Sequence, residues 1–210
     1  MIYKDAMNTD QQEIEAKFYI QDLARLKARL VDAGAQCIHE RVLEINLRFD
    51  TPDRQLSRGA RALRLRHDTI SRLTYKGPAD PNQPISVRKE IEFEVSDFQA
   101  AKDFLEALGY GIFVHYEKFR TTYRLDDVEV LLDEMPYGTF AEIEGGDIAR
   151  VQKAAERLNL RWDTSSRASY LVLFEQLVTK FNLGYRNLSF AEFEGTHFTA
   201  ADLGLVAADN

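Results

Sequence analysis

Apolar and polar side chains alternate along much of this chain, and charged residues dominate the polar positions. In residues 11–20, QQEIEAKFYI, Ile14, Ala16 and Phe18 take one parity while Glu13, Glu15 and Lys17 take the other. Alternate side chains of a strand share a face, so this stretch predicts a strand with one apolar and one charged face. For a single strand the simplest reading is a charged face turned to water. The same split recurs further on. Arg64 and Arg66 oppose Leu63 and Leu65, and Arg72, Thr74 and Lys76 share a parity. Arg88, Glu90, Glu92 and Glu94 oppose Ile91, Phe93 and Val95. Lys118 and Arg120 align with Tyr116 and Thr122, Glu142 and Glu144 flank Ile143, and Asp133 opposes Val128, Val130 and Leu132. Strands are predicted near 11–20, 36–50, 61–68, 72–77, 86–95, 115–124, 128–135 and 139–145.

Between them the period changes to that of a helix. Leu23, Leu26 and Leu30 recur at helical spacing after Asp22, a candidate N-cap, and the segment stops at Gly34. Further helices are predicted near 97–108, with Ser96 as N-cap, and near 147–160 and 166–182. The stretches TPDRQLSRG and PADPNQP read as a polar turn and a loop. Many hairpin-length links join the strands, so the expected class is α+β with a mostly antiparallel sheet. Each amphipathic helix needs an apolar surface to cover, and the strands' Ile/Leu/Phe/Val face is the large candidate. Helices on that face from outside, over a sheet curled into a barrel, leave the charged face as the lining.

Composition bounds this picture without changing it. The 210 residues are 45% hydrophobic, enough for one sizeable core, and the formal charge of -7 argues against a nucleic-acid duplex as partner. The single cysteine, Cys37, allows no internal disulfide and reads as a small buried residue in a reducing compartment. No long apolar run or leader-like segment is evident, so a soluble, cytoplasmic protein is expected, with no membrane partner and as a monomer or homodimer. No linker divides residues 1–182, which read as one domain followed by a tail, 183–210.

Both signs of charge on one face suit neither a simple polyanion nor a simple cation. They suit a phosphate chain carrying divalent metal: Arg and Lys grip phosphate oxygens, and carboxylates hold the hard cation. A flat sheet bearing ladders of surface salt bridges is the alternative.

The charged pieces also resemble a known family. Glu13-x-Glu15-x-Lys17 is similar to the ExExK signature of the CYTH superfamily, the triphosphate tunnel metalloenzymes. LRLR (63–66), TYKGP (74–78), RKEIEFEV (88–95), EKFRTTY (117–123), LLDEMPYGTFAEIEG (131–145) and RASYLVLF (167–174) follow in the family's order. The resemblance implies an eight-stranded antiparallel barrel whose tunnel takes a triphosphate-containing small molecule with Mg2+ or Mn2+. It implies metal binding by Glu13, Glu15, Glu142 and Glu144, with Glu90, Glu92 and Asp133 as further carboxylates. Lys17, Arg64, Arg66, Lys76, Lys118 and Arg120 would bind the phosphates, and strand position adds Arg88. Lys17 and Lys76 are the expected catalytic cations.

Two chemistries fit such a lining. Hydrolysis of the terminal phosphoanhydride needs no base pocket; cyclisation of ATP to cAMP and pyrophosphate needs the adenosine held at the mouth. The residues resemble both branches, with hydrolysis the leading expectation, and binding without turnover is a third reading. The four histidines lack ligand spacing, no Walker-type loop is present, and Trp162 and Tyr170 are expected to pack against the barrel. The tail carries Leu188, Phe190, Phe193, Phe198, Leu203, Leu205 and Val206, too apolar for a disordered segment, and is expected on the barrel exterior or at an interface.

Overall fold

The computed structural model describes residues 12–210; Gln11, the expected first residue of the opening strand, lies outside them. The described residues form eight strands: β1 (Gln12–Ile20), β2 (Gln36–Asp50), β3 (Ala62–His67), β4 (Ser71–Lys76), β5 (Ser86–Val95), β6 (Gly111–Leu125), β7 (Val128–Met135) and β8 (Gly138–Glu144). They close into an antiparallel barrel in the order β1-β5-β4-β3-β2-β6-β7-β8. Five α-helices accompany it: α1 (Leu23–Asp32), α2 (Gln55–Arg58), α3 (Phe98–Ala107), α4 (Ile148–Arg157) and α5 (Tyr170–Phe181).

Parity decides what goes where. Ala16, Phe18 and Ile20 of β1, Val130 and Leu132 of β7, and Ala141 and Ile143 of β8 pack with Leu26 and Leu30 of α1 and with Val151, Ala154 and Ala155 of α4. These outward side chains are essentially inaccessible, and burying each Leu, Ile or Phe stabilises by roughly 1.5–3 kcal/mol. The opposite parity is left facing the barrel axis.

Three local details differ from the sequence reading. The polar turn 51–59 contains α2, a single turn that Asp50 nucleates. Its carboxylate accepts from the Thr51, Leu56 and Ser57 amides and from the Ser57 hydroxyl. These bonds outweigh burial and hold its pKa at about 2. The N-cap of α3 is Asp97 rather than Ser96, its carboxylate accepting from the Ala100 amide at 2.9 Å. Cys37 is exposed, not buried, because it sits where the β2–β6 register shifts. The β7–β8 link requires Gly138. Its φ is +153°, and a Cβ there would meet the Tyr19 ring at 2.8 Å.

The last residues are packed. The N-terminal half of β6 outruns β7, and Leu188 pairs with that edge. The Glu117 amide donates to the Leu188 carbonyl at 2.9 Å, and the Leu188 amide to His115 at 3.0 Å. An unpaired strand edge is thereby satisfied. Leu188, Phe193 and Leu203 join Phe174 and Leu177 of α5 in a second apolar cluster. Asp209 accepts from the Gln21 and Asp22 amides at 2.8 Å each.

Candidate functional site

The barrel holds a cavity of about 600 Å³ lined mostly by charged side chains. Glu13, Glu15, Lys17, Arg64, Arg66, Lys76, Arg88, Glu90, Glu92, Lys118, Arg120, Glu142 and Glu144 all face it. Asp133, fully buried, reaches the same interior through its partners. The sheet is closed rather than flat, so the charged face is a tunnel lining and not a surface ladder.

Opposite charges meet in an ordered way. Register places Lys17 beside Glu142, with Nζ 3.2 Å from Oε1. Arg120 donates through Nε and Nη2 to Asp133 at 2.6 Å each and reaches Glu142 at 2.5 Å. Lys118 binds Asp133 at 2.9 Å and lies 3.4 Å from Glu44. Glu92 accepts from Arg64, Arg66 and the Thr74 hydroxyl. Lys76 pairs with Glu13 and with Glu90, and Arg88 spans Glu13 at 2.8 Å and Glu15 at 3.3 Å.

One cluster has carboxylates without enough cations. Glu13, Glu15 and Glu144 bring oxygens within 4.8 Å of one another. Burial pushes the Glu144 carboxyl up to about 8, helped by Glu15 and Glu13. Burial, with Glu142 and Glu13 nearby, also raises Glu15. Burial pushes Glu90 to about 7 despite Lys76. Burial would raise Glu13 as well, but Lys76 and Arg88 outweigh it and hold that group at about 2. Three converging carboxylates, with Glu15 and Glu144 pushed up, form a donor set of the kind that could hold a hard divalent cation. Glu142, the fourth glutamate of the expected metal set, is instead engaged by Lys17 and Arg120. Its carboxyl lies well below the usual range, those cations overcoming the effect of burial.

Several lining residues escaped the sequence reading. Glu44 and Arg48 of β2 face the cavity, as does Tyr116, noted only for its parity. Burial alone would raise Glu44, but Lys118, Arg120 and Arg66 hold it at about 2. Alternation in LEINLRF offered the signal, since Leu43, Ile45, Leu47 and Phe49 take the other parity. Tyr170 does more than pack: its hydroxyl donates to Asp133 at 2.8 Å, and Lys17 Nζ lies 4.3 Å from its ring centre. Beyond Lys17 and Glu142 the inward positions become Tyr19 and Phe140, which stack edge-on at 5.3 Å. With Tyr137 and Tyr170 they replace charged lining by an aromatic cluster. Trp162 packs on Phe18 outside the barrel, at 6.2 Å between ring centres.

Residues 11–170 match the CYTH domain. The chain belongs to the CYTH domain family. This CYTH chain is 30% identical over 172 residues to the "Putative adenylate cyclase MJ0240" of Methanocaldococcus jannaschii, covering 77% of this chain and 97% of that protein. The PH1012 protein of Pyrococcus horikoshii OT3 superposes with a TM-score of 0.66 at 25% identity, over 76% of this chain and 97% of the other. The Hippeastrum "Putative adenylyl cyclase HpAC1", reported with a dominant triphosphatase activity, gives a TM-score of 0.59 at 21% identity. It covers 78% of this chain and 95% of its own. No helix among the described residues is long and apolar enough to cross a membrane.

Proposed function

We propose that the tunnel binds a triphosphate together with Mg2+ or Mn2+ and hydrolyses its terminal phosphoanhydride. The observation that carries this reading is the juxtaposition inside one cavity of a cation-rich wall and the Glu13–Glu15–Glu144 cluster. Glu13, Glu15 and Glu144 would hold the divalent ion, which would supply positive charge to phosphate oxygens. Arg64, Arg66 and Lys118 hold the chain from the other side by charged hydrogen bonds. Lys17 and Lys76 are the proposed catalytic cations, each already fixed by a carboxylate and each reaching the cavity. In the reaction a water oxygen bonds to the terminal phosphorus while the bond from that phosphorus to the bridging oxygen breaks, and the water's proton passes to solvent. Fixed cations stabilise the charge that develops on the departing diphosphate without reorganising.

Cyclisation of ATP is the second reading, supported by the name of the 30% identical relative. It needs the ribose 3′-hydroxyl to attack the α-phosphorus with pyrophosphate leaving. Product analysis on tripolyphosphate and ATP, each with Mg2+ and with Mn2+, separates the readings. Orthophosphate from tripolyphosphate is expected. Cyclic nucleotide and pyrophosphate from ATP, with tripolyphosphate untouched, would replace hydrolysis by cyclisation. Binding without turnover of either would leave a non-catalytic triphosphate-binding protein.

A further inference from the structure

Nearly every cation lining the deep tunnel is tied to a carboxylate, as Arg64, Arg66, Arg88 and Arg120 illustrate. Arg48 is the exception. It faces the cavity from β2, yet no salt bridge forms to it among the described residues, and its buried Nε has no hydrogen-bond partner. Its guanidinium lies 5.7 Å from the Phe113 ring centre, a contact that does not neutralise the charge. Burial disfavours the charged form, and the nearby Arg64 and Arg88 disfavour it further, outweighing the opposite influence of Tyr116 and Asp50. On the same face of β2, Asn46 is fully buried with both amide atoms unpartnered.

Tyr116 stands on the neighbouring strand β6, its position paired with Asn46. Its hydroxyl accepts from Arg64 at 3.4 Å and, among the described residues, donates to no protein group. Burial would raise its pKa, yet Arg64, Lys118 and Arg48 together lower it, so its oxygen sits in a field that attracts negative charge. Two donors without acceptors therefore line one side of a cavity. An uncompensated buried charge is costly, and an anion relieves that cost.

We propose that Arg48 and Tyr116 form an additional phosphoryl-binding contact, holding the triphosphate from the β2–β6 wall, opposite β1 and its carboxylates. This rests on the triphosphate reading above and adds two residues to its binding set. Arg48 supplies a planar fork of donors to phosphoryl oxygens, and Tyr116 supplies one more through its hydroxyl.

The test uses the full chain, with calorimetry on tripolyphosphate in Mg2+ and melting of the ligand-free protein. Arg48→Gln weakens binding by roughly ten- to a hundredfold, the loss expected of a charged hydrogen bond. Its ligand-free melting temperature stays level or rises, because an unpaired buried charge has gone; a purely structural arginine would lower it. Arg48→Lys recovers part of the affinity, and Tyr116→Phe weakens binding several-fold with the ring kept. Binding by Arg48→Gln within twofold of the parent overturns the proposal, whatever the melting temperature does. Arg66→Ala serves as the control. If it weakens binding and Arg48→Gln does not, only this inference fails. If the parent chain binds no tripolyphosphate, the tunnel reading fails and this inference with it.

Discussion

Two arcs of the same barrel face each other with opposite surpluses. The β4-β3-β2-β6 arc presents Arg72, Lys76, Arg64, Arg66, Arg48, Lys118 and Arg120, with Glu44 as its deep carboxylate. The β7-β8-β1-β5 arc presents Asp133, Glu142, Glu144, Glu13, Glu15, Glu90 and Glu92, interrupted by Lys17 and Arg88. At the seams and just beyond them charges pair: Arg120 with Asp133 and Glu142, Lys76 with Glu90 and Glu13. Away from the seams each arc keeps an excess, carboxyls pushed up at Glu15 and Glu144 and, among the described residues, an Arg48 without a salt bridge whose Nε has no partner. Protein pairing alone satisfies neither excess. A metal–phosphate complex, as proposed above, would satisfy both, because its cation would answer one arc and its anion the other.

The strongest way to break this comparison is to remove charge from the acidic arc while keeping its shape. Glu15→Gln should abolish metal-dependent turnover, a loss of several kcal/mol of transition-state stabilisation, about a thousandfold or more. The same change should not lower ligand-free stability, since Glu142 and Glu13 repel the Glu15 carboxylate. Turnover at the parent rate would remove the metal role from this cluster.

At the seam the expectation reverses. Arg120→Ala leaves Asp133 and Glu142 buried without their shared partner. Breaking a buried pair on one side costs about 3–5 kcal/mol, measurable by urea denaturation of the ligand-free chain. A cost near zero would mean that water reaches the seam. On the basic arc, Arg66→Ala should cost tripolyphosphate binding on the order of 1.5–3 kcal/mol. Unchanged affinity in calorimetry would place the phosphates elsewhere in the cavity.

How much of these arcs the sequence discloses depends on how regular each strand is. β1, β3, β4, β5 and β8 run without register shifts in their pairings, so simple alternation sorts their charges correctly. β2 carries shifts between Cys37 and His39, between His39 and Val42, and near Arg48. Its inward set Glu44, Asn46 and Arg48 is hidden by the irregular flanks, although the central alternation is intact. Pairing within the tunnel is a different kind of information. Parity puts Glu142 with the other glutamates, but only three-dimensional closure brings Arg120 to it and leaves Glu13, Glu15 and Glu144 as the converging set. Short elements fared worst: α2 is one turn in a polar stretch, held by Asp50 bonds that no periodicity signals.

Counted per group and per pH unit, the smallest expected effect is also the one that reads the acidic arc most directly. Glu144 moves from an ordinary 4.5 to about 8, mainly through burial, and Glu90 to about 7. Between pH 4.5 and these values the folded chain holds protons that the unfolded chain has released. Ligand-free stability should therefore fall as pH rises from about 5 to 8, by at most about 1.4 kcal/mol per pH unit for each group. Glu13 works in the opposite sense. Held at about 2, it stabilises above pH 4.5 and loses that contribution as pH drops toward 2, so stability should peak in mildly acidic solution. A divalent ion binds the deprotonated carboxylates. Saturating Mg2+ should flatten the fall between pH 5 and 8, and apparent metal affinity should climb across that window. Glu144→Gln should remove the upper part of the fall and leave the part below about 7 that belongs to Glu90. Melting curves of parent and variant at half-unit pH steps, with and without Mg2+, provide the check. A flat parent profile from pH 5 to 8 without metal would mean that the cluster is solvated, and that the acidic arc holds no excess for a cation to answer.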